Sequence, residues 1–394
     1  MNNDVWLAIS SISGIGTKTL LKIYLSSPNL TKENYFEEAK KINFEKIGVR
    51  KNSISFLLDS DYMNQKFKKA TSQIEIYKEK GIEVISLSDK RYPIALRVID
   101  DPPAVLYCKG NINLLAQNKQ IAVIGTRNAT AKGMNAAGKI AASFSDLGYV
   151  IVSGLATGID TGAHLGALES NGYTIAVLAG GVDDSSIYPK ENIDLAKRIL
   201  SKEGLLLSEY APGTRPNKSS FVQRDRIQSG LSLGICPVQT DIKGGTQHTI
   251  QYAFTQNRIV FCPVPSELDH EKIDVYRGVH QLINEKKVYV IKNKNDYKVI
   301  DEILLKKWRE LLQKNDSSFL NEKVYTLPVI EVNSSQLDMF GNDSFSDLLV
   351  SVNSDDISQN VLRYIEICRK HNITLNESID ILKQLWRKDG NEKI

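Results

Sequence analysis

Between about residue 80 and residue 292 the chain repeats one pattern, a short and almost uninterrupted apolar run followed by a longer mixed segment. The runs are IEVISL, PAVLYC, IAVIG, YVIVSG, YTIAVLAG, GLLLSE, LGICPV, NRIVFCPV and KVYVI. Runs of this length, apolar throughout rather than at alternate positions, predict strands buried on both faces. Several segments between them, among them AKGMNAAGKIAASFSDLG and GIDTGAHLGALESNG, read as helices. Strands alternating with helices predict an α/β fold, a mostly parallel sheet covered on both sides. Ligands of such sheets bind outside the carboxyl ends of the strands, so the turns at those ends carry the expected chemistry.

The flanks differ from this centre. Residues 1 to 65 read as a helical unit, in which SISGIGTKTLLKIYL places Ile12, Gly14, Ile15, Gly16, Thr19, Leu20 and Ile23 in the manner of a helix-hairpin-helix element. Gly14 and Gly16 would let that turn approach a phosphate, beside Lys18 and the free N–H groups of the next helix. The alternative is a glycine-capped turn that only packs. The α/β domain is expected over 66–295, a helix over 296–314, a polar flexible linker over 315–358 and a small helical unit over 359–394.

Composition narrows the classes. With 42% hydrophobic and 24% charged residues, and apolar runs far short of about 20 residues, the chain lacks the pattern of a membrane span. The start, MNNDVWLAIS, has no basic region followed by a long apolar one, so a cytoplasmic protein is expected. Cys108, Cys236, Cys262 and Cys368 are widely spaced, which argues against structural zinc and a disulfide framework; no metal or cofactor is implied. A net charge of +4 is too small to predict a polyanion partner, so positions of charge must carry any such claim.

Those positions fall on the strand ends. IAVIGTRNATAKGM runs a strand into Gly125-Thr126-Arg127, where a dinucleotide fold would show G-x-G-x-x-G. SGLATGIDTGAH follows, with Ser153, Gly154 and Gly158 opening a helix suited to an anion, and with Asp160 and His164 read as a cap and its partner. LAGGVDDSSIYPKEN leads to Tyr188-Pro189-Lys190. SEYAPGTRPNKSSFVQRDRIQSGLS contains an irregular loop, after which Arg224 and Arg226 are read as beginning a helix. Arginines in a first turn oppose the helix dipole, so either an external anion compensates them or Asp225 or Glu209 neutralises one internally. DIKGGTQHTIQYA sets Lys243, Gly244, Gly245 and Thr246 before a further helix, again suited to phosphate. Arg127, Lys190, Arg224, Arg226 and Lys243 thus predict a cationic edge long enough for a chain of phosphates.

The blocks RYPIALRVIDDPPAVLYCKGN, VIGTRNAT, SGLATGIDTGAH, TIAVLAGGVDDSSIYPKEN, LLLSEYAPGTRPNKSSFVQRDRIQSGLS and GGTQHTIQYAFTQNRIVFCPVP together resemble the DNA-processing protein A family, DprA or Smf, over roughly residues 80 to 265. The resemblance implies an extended Rossmann fold that binds single-stranded DNA without catalysis, dimerises, and loads a RecA-type recombinase during natural transformation. Carried over by motif, Arg127, Lys190, Arg224 and Arg226 would be DNA ligands, with Ser153 and Gly154 lining the same pocket. The chain departs from the family pattern at Asp225, usually Asn, and at Gln239, usually acidic. The winged-helix unit common at the family's C-terminus is not recognisable.

Two further readings bear on function. A related group, the LOG-type nucleotide phosphoribohydrolases, carries G-G-x-G-T-x-x-E, but here Gln251 stands at the glutamate's place and cannot act as a general base. A sensor that binds a nucleotide signal, or a defence protein on the same fold, needs no such carboxylate and stays open. Contact with DNA is expected to be mainly to the backbone and largely insensitive to sequence; Tyr188 and Phe221 are expected to pack in the fold, with stacking on a base as the alternative. In the polar stretch SSQLDMFGN, Gln336, Leu337, Met339 and Phe340 resemble the short peptide that docks bacterial proteins on the replication sliding clamp.

Overall fold

The computed structural model describes residues 1–265 and 274–319. Nine strands form its centre: β1 (Ile82–Ser86), β2 (Val105–Gly110), β3 (Gln120–Gly125), β4 (Val150–Ser153), β5 (Thr174–Val177), β6 (Leu205–Ser208), β7 (Gly234–Gln239), β8 (Ile259–Pro263) and β9 (Tyr289–Ile291). They make one sheet in the order β1-β2-β6-β5-β4-β3-β7-β8-β9. From β6 to β9 every neighbouring pair is parallel. β1 and β2 extend the β6 edge as antiparallel strands. Each apolar run named above supplies one of these strands.

The helices before the sheet are α1 (Asn3–Ser10), α2 (Thr17–Ser26), α3 (Tyr35–Ala39), α4 (Lys51–Leu58) and α5 (Ser60–Glu79). Those that follow are α6 (Ile94–Arg97), α7 (Ala131–Asp146), α8 (Ile159–Glu169), α9 (Ile193–Ser201), α10 (Lys218–Leu231), α11 (Thr246–Thr255), α12 (Arg277–Asn284) and α13 (Asp296–Phe319). Alternation along β3 builds both cores. Ile121 and Val123 join Ala137 and Phe144 of α7, Ala163 of α8 and Leu304 of α13. Ala122 and Ile124 join Ile227 of α10 and Ile250 of α11 in the other. A two-faced strand of this kind must be apolar at every position, which is why its sequence shows no alternation.

The expected boundary at residue 65 is corrected, because it falls inside α5. That helix buries Met63, Phe67 and Ala70, at i, i+4 and i+7, so its apolar stripe runs through the boundary. The first helices are also fastened to the sheet edge. Trp6 Nε1 donates to Ser88 Oγ at 2.7 Å and Asn3 Nδ2 to the Val84 carbonyl at 2.7 Å. Met1–Asn321 accordingly forms one compact unit. The helix expected over 296–314 runs on to Phe319, into the stretch assigned to the linker. The rest of that linker, the unit at 359–394, the four clamp-peptide positions and Cys368 lie outside the described residues. Cys108, Cys236 and Cys262 are free and buried. Among the described residues, no helix is long and apolar enough to cross a membrane.

α7 and α8 cross at very short range because glycines meet there. A Cβ on Gly166 would lie 2.2 Å from the carbonyl oxygen of Gly138. By helix propensity alone Gly166→Ala would stabilise by about 1 kcal/mol. The contact reverses the sign: we expect destabilisation of about 1–3 kcal/mol, read as a melting temperature lowered by several degrees. An unchanged or raised melting temperature would contradict this packing.

Candidate nucleic-acid interface at the sheet switch point

Strand order reverses at β3, from which the chain builds outward to β6 on one side and to β9 on the other. At this reversal the crossover connections leave on opposite faces and a crevice opens between β3 and β7. A cleft of about 420 Å³ lies there, lined by the Gly125–Asn128 turn, by one face of α10 and by the Gly244–Thr246 start of α11. A second cavity of about 210 Å³ adjoins it, lined by Gly154, Ala156, Thr157, Tyr188, Pro189 and Glu191. Arg127, Phe221 and Arg224 line both.

The turn after β3 is held by its backbone. Thr126 N–H donates to the Gln239 carbonyl at 2.8 Å, Asn128 N–H to Thr126 Oγ1 at 3.2 Å, and the Thr126 carbonyl accepts from Ile159 N–H at 3.2 Å. The Arg127 side chain takes no part in these ties and is exposed, with Cζ 4.8 Å from the centroid of the Phe221 ring. Phe221 in turn meets Tyr188 edge to face at 5.6 Å, and Tyr188 is 47% exposed. Tyr188 and Phe221 therefore do more than pack inside the fold. With Arg127 they form a cation and aromatic ledge, in which Arg127 and Phe221 line both cavities and Tyr188 the smaller one.

Gln239 is not at the cleft surface. It is fully buried; its Oε1 accepts from Thr130 N–H at 3.0 Å and its Nε2 donates to Thr130 Oγ1 at 2.8 Å. Thr130 caps α7. The amide thus accepts from one group of Thr130 and donates to the other.

α10 begins at Lys218, with Asn217 and Ser220 forming a capping box. Arg224 and Arg226 therefore lie in mid-helix, and the first-turn dipole argument does not apply to them. Two residues on a helix are about 200° apart, so the two arginines face different surroundings. Arg224 is buried over Gly154, where a Cβ would lie 1.6 Å from its Nη1. Its Nη1 donates to the Val177 carbonyl at 3.0 Å and its Nε lies 3.2 Å from Asp225 Oδ1. Arg226 points to the end of β6, paired with Glu209 and, at 3.5 Å, with Asp101. It lines neither cavity. Of the two neutralisations expected, Glu209 takes Arg226 and Asp225 takes a share of Arg224.

Phe221, Arg224, Asp225 and Gln228 stand at i, i+3, i+4 and i+7 and form the cleft face of α10. Gln228, with its amide nitrogen toward Asp225, donates to Oδ1 at 3.1 Å and accepts from Gly154 N–H at 2.9 Å. Gly154 and Ala156 N–H also donate to Asp160 Oδ2, at 3.1 and 3.3 Å. Burial raises the pKa of Asp160, opposed by Arg224. Burial pushes the Asp225 carboxyl up to about 6, with Arg224 drawing it down and Asp160 adding to the rise. His164 bonds Thr174 Oγ1 at 2.7 Å, and burial, with Arg224 nearby, lowers its pKa to about 3, so it is neutral near pH 7.

The remaining expected residues divide. Gly125, Thr126, Gly244, Gly245 and Thr246 line the first cleft and Gly154 the second. Lys190 and Lys243 are exposed beside the lining segments. Ser153 is buried and donates to the Val123 carbonyl at 2.7 Å, which makes it a tie between strands. Gln251 is exposed on α11 and lines neither cavity. Gly14, Gly16 and Lys18 are exposed on the first hairpin, while Ile12, Ile15, Leu20 and Ile23 bury its other side. Asp225, Gln228, Asn128, His248 and Thr249 also line the cleft. For Asp225 and Gln228 the four-residue spacing from Phe221 and Arg224 was the available signal; for His248 and Thr249 there was none.

A parallel sheet carrying a cation-rimmed cleft at its switch point defines a Rossmann-type protein suited to a phosphate-bearing ligand. The comparisons with known proteins narrow this class. The profile of the family described as DNA recombination-mediator protein A matches residues 83–301. The chain is 42% identical over 216 residues to DNA processing protein DprA of Bacillus subtilis, covering 55% of this chain and 70% of that protein. To the DprA of Streptococcus pneumoniae it is 34% identical over 277 residues, covering 69% and 89%. The X-ray structure of the S. pneumoniae protein superposes with a TM-score of 0.61 at 28% identity, covering 76% of this chain and 98% of that one. The chain belongs to the DNA recombination-mediator protein A family, the DprA/Smf family of DNA-processing proteins.

The raised pKa of Asp225 has a sign that can be checked. In the folded state the group binds its proton up to about pH 6, in the unfolded state only to about its ordinary 3.8. Between these values the folded state holds more protons, so this contribution to stability is full below 3.8 and is lost as pH rises through 6. Asp225→Asn removes it. The melting temperature of the variant, relative to the unsubstituted protein, should climb from pH 4 to pH 7 and then level off. A difference that stays flat across this range would contradict the buried, ionisable placement of Asp225.

Proposed function

We propose that the switch-point cleft and its rim bind single-stranded DNA, and that the protein is a non-enzymatic DNA-processing factor. The observation that carries this reading is the Arg127–Phe221–Tyr188 ledge: a cation on one ring face and an exposed aromatic beside it, on the lining of two adjoining cavities. A single strand offers what such a ledge holds, phosphates for the cation and unpaired base faces for the rings. In a duplex the base faces are covered. Lys190 and Lys243 extend the positive rim to either side, and the start of α11, with no acidic residue in its first turn, adds N–H groups favourable to phosphate.

On this reading Arg127, Lys190, Lys243 and the Gly125, Thr126 and Gly244–Thr246 backbone contact DNA. Arg224, held by Val177 and Asp225, forms the wall between the cavities and presents its remaining donors to either. Arg226, buried against Glu209, supports the fold behind them. Gly14, Gly16 and Lys18 are a second, weaker contact for the backbone. The protein would act in the cytoplasm as a homodimer, shield incoming single strands and pass them to a RecA-type recombinase. Gln336, Leu337, Met339 and Phe340 would tie it to the sliding clamp. A peptide spanning 331–344 is expected to bind the clamp and to lose binding with Phe340→Ala; no binding by the peptide removes that partner.

A second reading follows from the cleft's size, which suits one nucleotide as well as part of a strand: a sensor of a small nucleotide signal. Ligand length separates the two. Oligonucleotides of about 20 nucleotides should bind with a salt slope of about −0.7 per phosphate contact, with duplex and mononucleotides competing poorly. Arg127→Ala should weaken oligonucleotide binding about tenfold and lower the slope by about one contact. Equal affinity for a mononucleotide and the long strand would favour the sensor.

A further inference from the structure

The smaller cavity is walled in part by two segments from different strand ends. One is the turn after β4, with Gly154, Ala156 and Thr157; the other closes the long connection after β5 and brings Tyr188, Pro189 and Glu191, beside Lys190. Asn192 joins them. It is 7% exposed and lines neither cavity, and its Nδ2 donates to the Leu155 carbonyl at 2.8 Å and to Thr161 Oγ1 at 2.9 Å. Its backbone N–H donates to the Pro189 carbonyl at 3.1 Å. Among the described residues, no other hydrogen bond ties the 188–192 segment to that turn or to α8.

Two details set this tie apart from ordinary packing. Asn192 stands directly before α9, where an asparagine ordinarily caps the helix with its side chain, yet it makes no cap bond. Its amide goes instead to Leu155, a fully buried residue at φ 59°, in the left-handed region that a side chain disfavours. A backbone held there persists only where its surroundings fix it, and such places cluster at ligand sites. The same turn also reaches the Arg127 side of the site: Thr161 Oγ1 donates to the Ala156 carbonyl at 2.9 Å and Thr157 Oγ1 to the Arg127 carbonyl at 3.4 Å. From this we infer that Asn192 is a positioning residue for the bound strand, which touches no DNA and holds Tyr188 and Lys190 at the spacing from Arg127 that lets one strand meet all three. This deepens the single-stranded DNA reading and rests on it. Without the Asn192 amide, Tyr188 and Lys190 keep their chemistry but their segment is loosened, so ordering it again opposes binding.

The test titrates dT20 at several salt concentrations onto the full chain, onto Asn192→Ala, onto Tyr188→Ala/Lys190→Ala and onto the triple variant. Stoichiometric titration first counts the competent molecules, so that a misfolded fraction lowers the count and not the affinity. Asn192→Ala should bind about tenfold more weakly, the range of one lost stacking contact, with a salt slope smaller by about 0.7, one phosphate. In the Tyr188→Ala/Lys190→Ala background the same substitution should change affinity by less than about twofold, because the segment it orders then carries nothing for the strand. Should Asn192→Ala yield no folded protein, Thr161→Val, which keeps Asn192 and removes the acceptor of its second bond, decides by the same comparison of backgrounds. Unchanged dT20 binding by Asn192→Ala, or an equal loss in both backgrounds, overturns the positioning role and leaves strand binding intact. If Tyr188→Ala/Lys190→Ala binds dT20 as the unsubstituted protein does, strand contact at this segment is overturned and the proposal with it.

Discussion

The site is organised by one buried guanidinium. Arg224 leaves the middle of α10, lies on Gly154 at the end of β4, and donates to the last carbonyl of β5 while touching Asp225 on its own helix. A charge in such a place is costly to desolvate unless every direction around it is answered. Here the answers are a strand-end carbonyl, an adjacent carboxylate and the field of Asp160, which itself gathers the N–H groups of Gly154 and Ala156. Two strand ends and a crossover helix are thereby held in one arrangement. The cleft on one side of Arg224 and the cavity on the other keep their shape because that wall is fixed.

Around this wall the sheet supplies position and the loops supply chemistry. β3 ends in a turn pinned to β7 and α8, so Arg127 projects from a rigid base onto Phe221. Gln239 secures the same turn from below by holding the cap of α7. A residue that looked like a departure in a binding loop is a fastening in the interior. Arg226, two places from Arg224, has a similar supporting part through Glu209. Charged residues of one short motif thus divide between ligand surface and scaffold according to the helix face they occupy.

The strands were legible because burial on both faces leaves an unmistakable mark, a run without polar interruption, and the parallel arrangement followed from their alternation with helices. The strand-end turns were legible for the same reason, as breaks in that mark. The start of α10 was not, since Pro212, Gly213 and Pro216 suggested an irregular loop of uncertain length, and the cap at Asn217 was passed over. That shift of about a turn and a half put both arginines in a first turn and treated them alike, whereas Arg224 lines the cavities and Arg226 does not. The boundary at residue 65 failed because a domain was inferred from a change of secondary structure, whereas α1 and α5 bury their apolar faces against β1. The aromatic ledge could not be seen in the sequence at all, because Tyr188 comes from the loop after β5 and Phe221 from α10, and they meet only through the fold.

The central claim, that a single strand lies across the ledge and the cleft, is tested most directly by photocrosslinking. An oligonucleotide of thymidines carrying 5-iododeoxyuridine at one position in each of several versions is irradiated on the protein and the adducts are mapped by mass spectrometry. The account predicts adducts on Phe221 or Tyr188, with further ones on the turns at 125–128 and 243–246. Efficient crosslinking confined to other surfaces, such as the first hairpin at 11–18 or strand β9, with none at these positions, would contradict it.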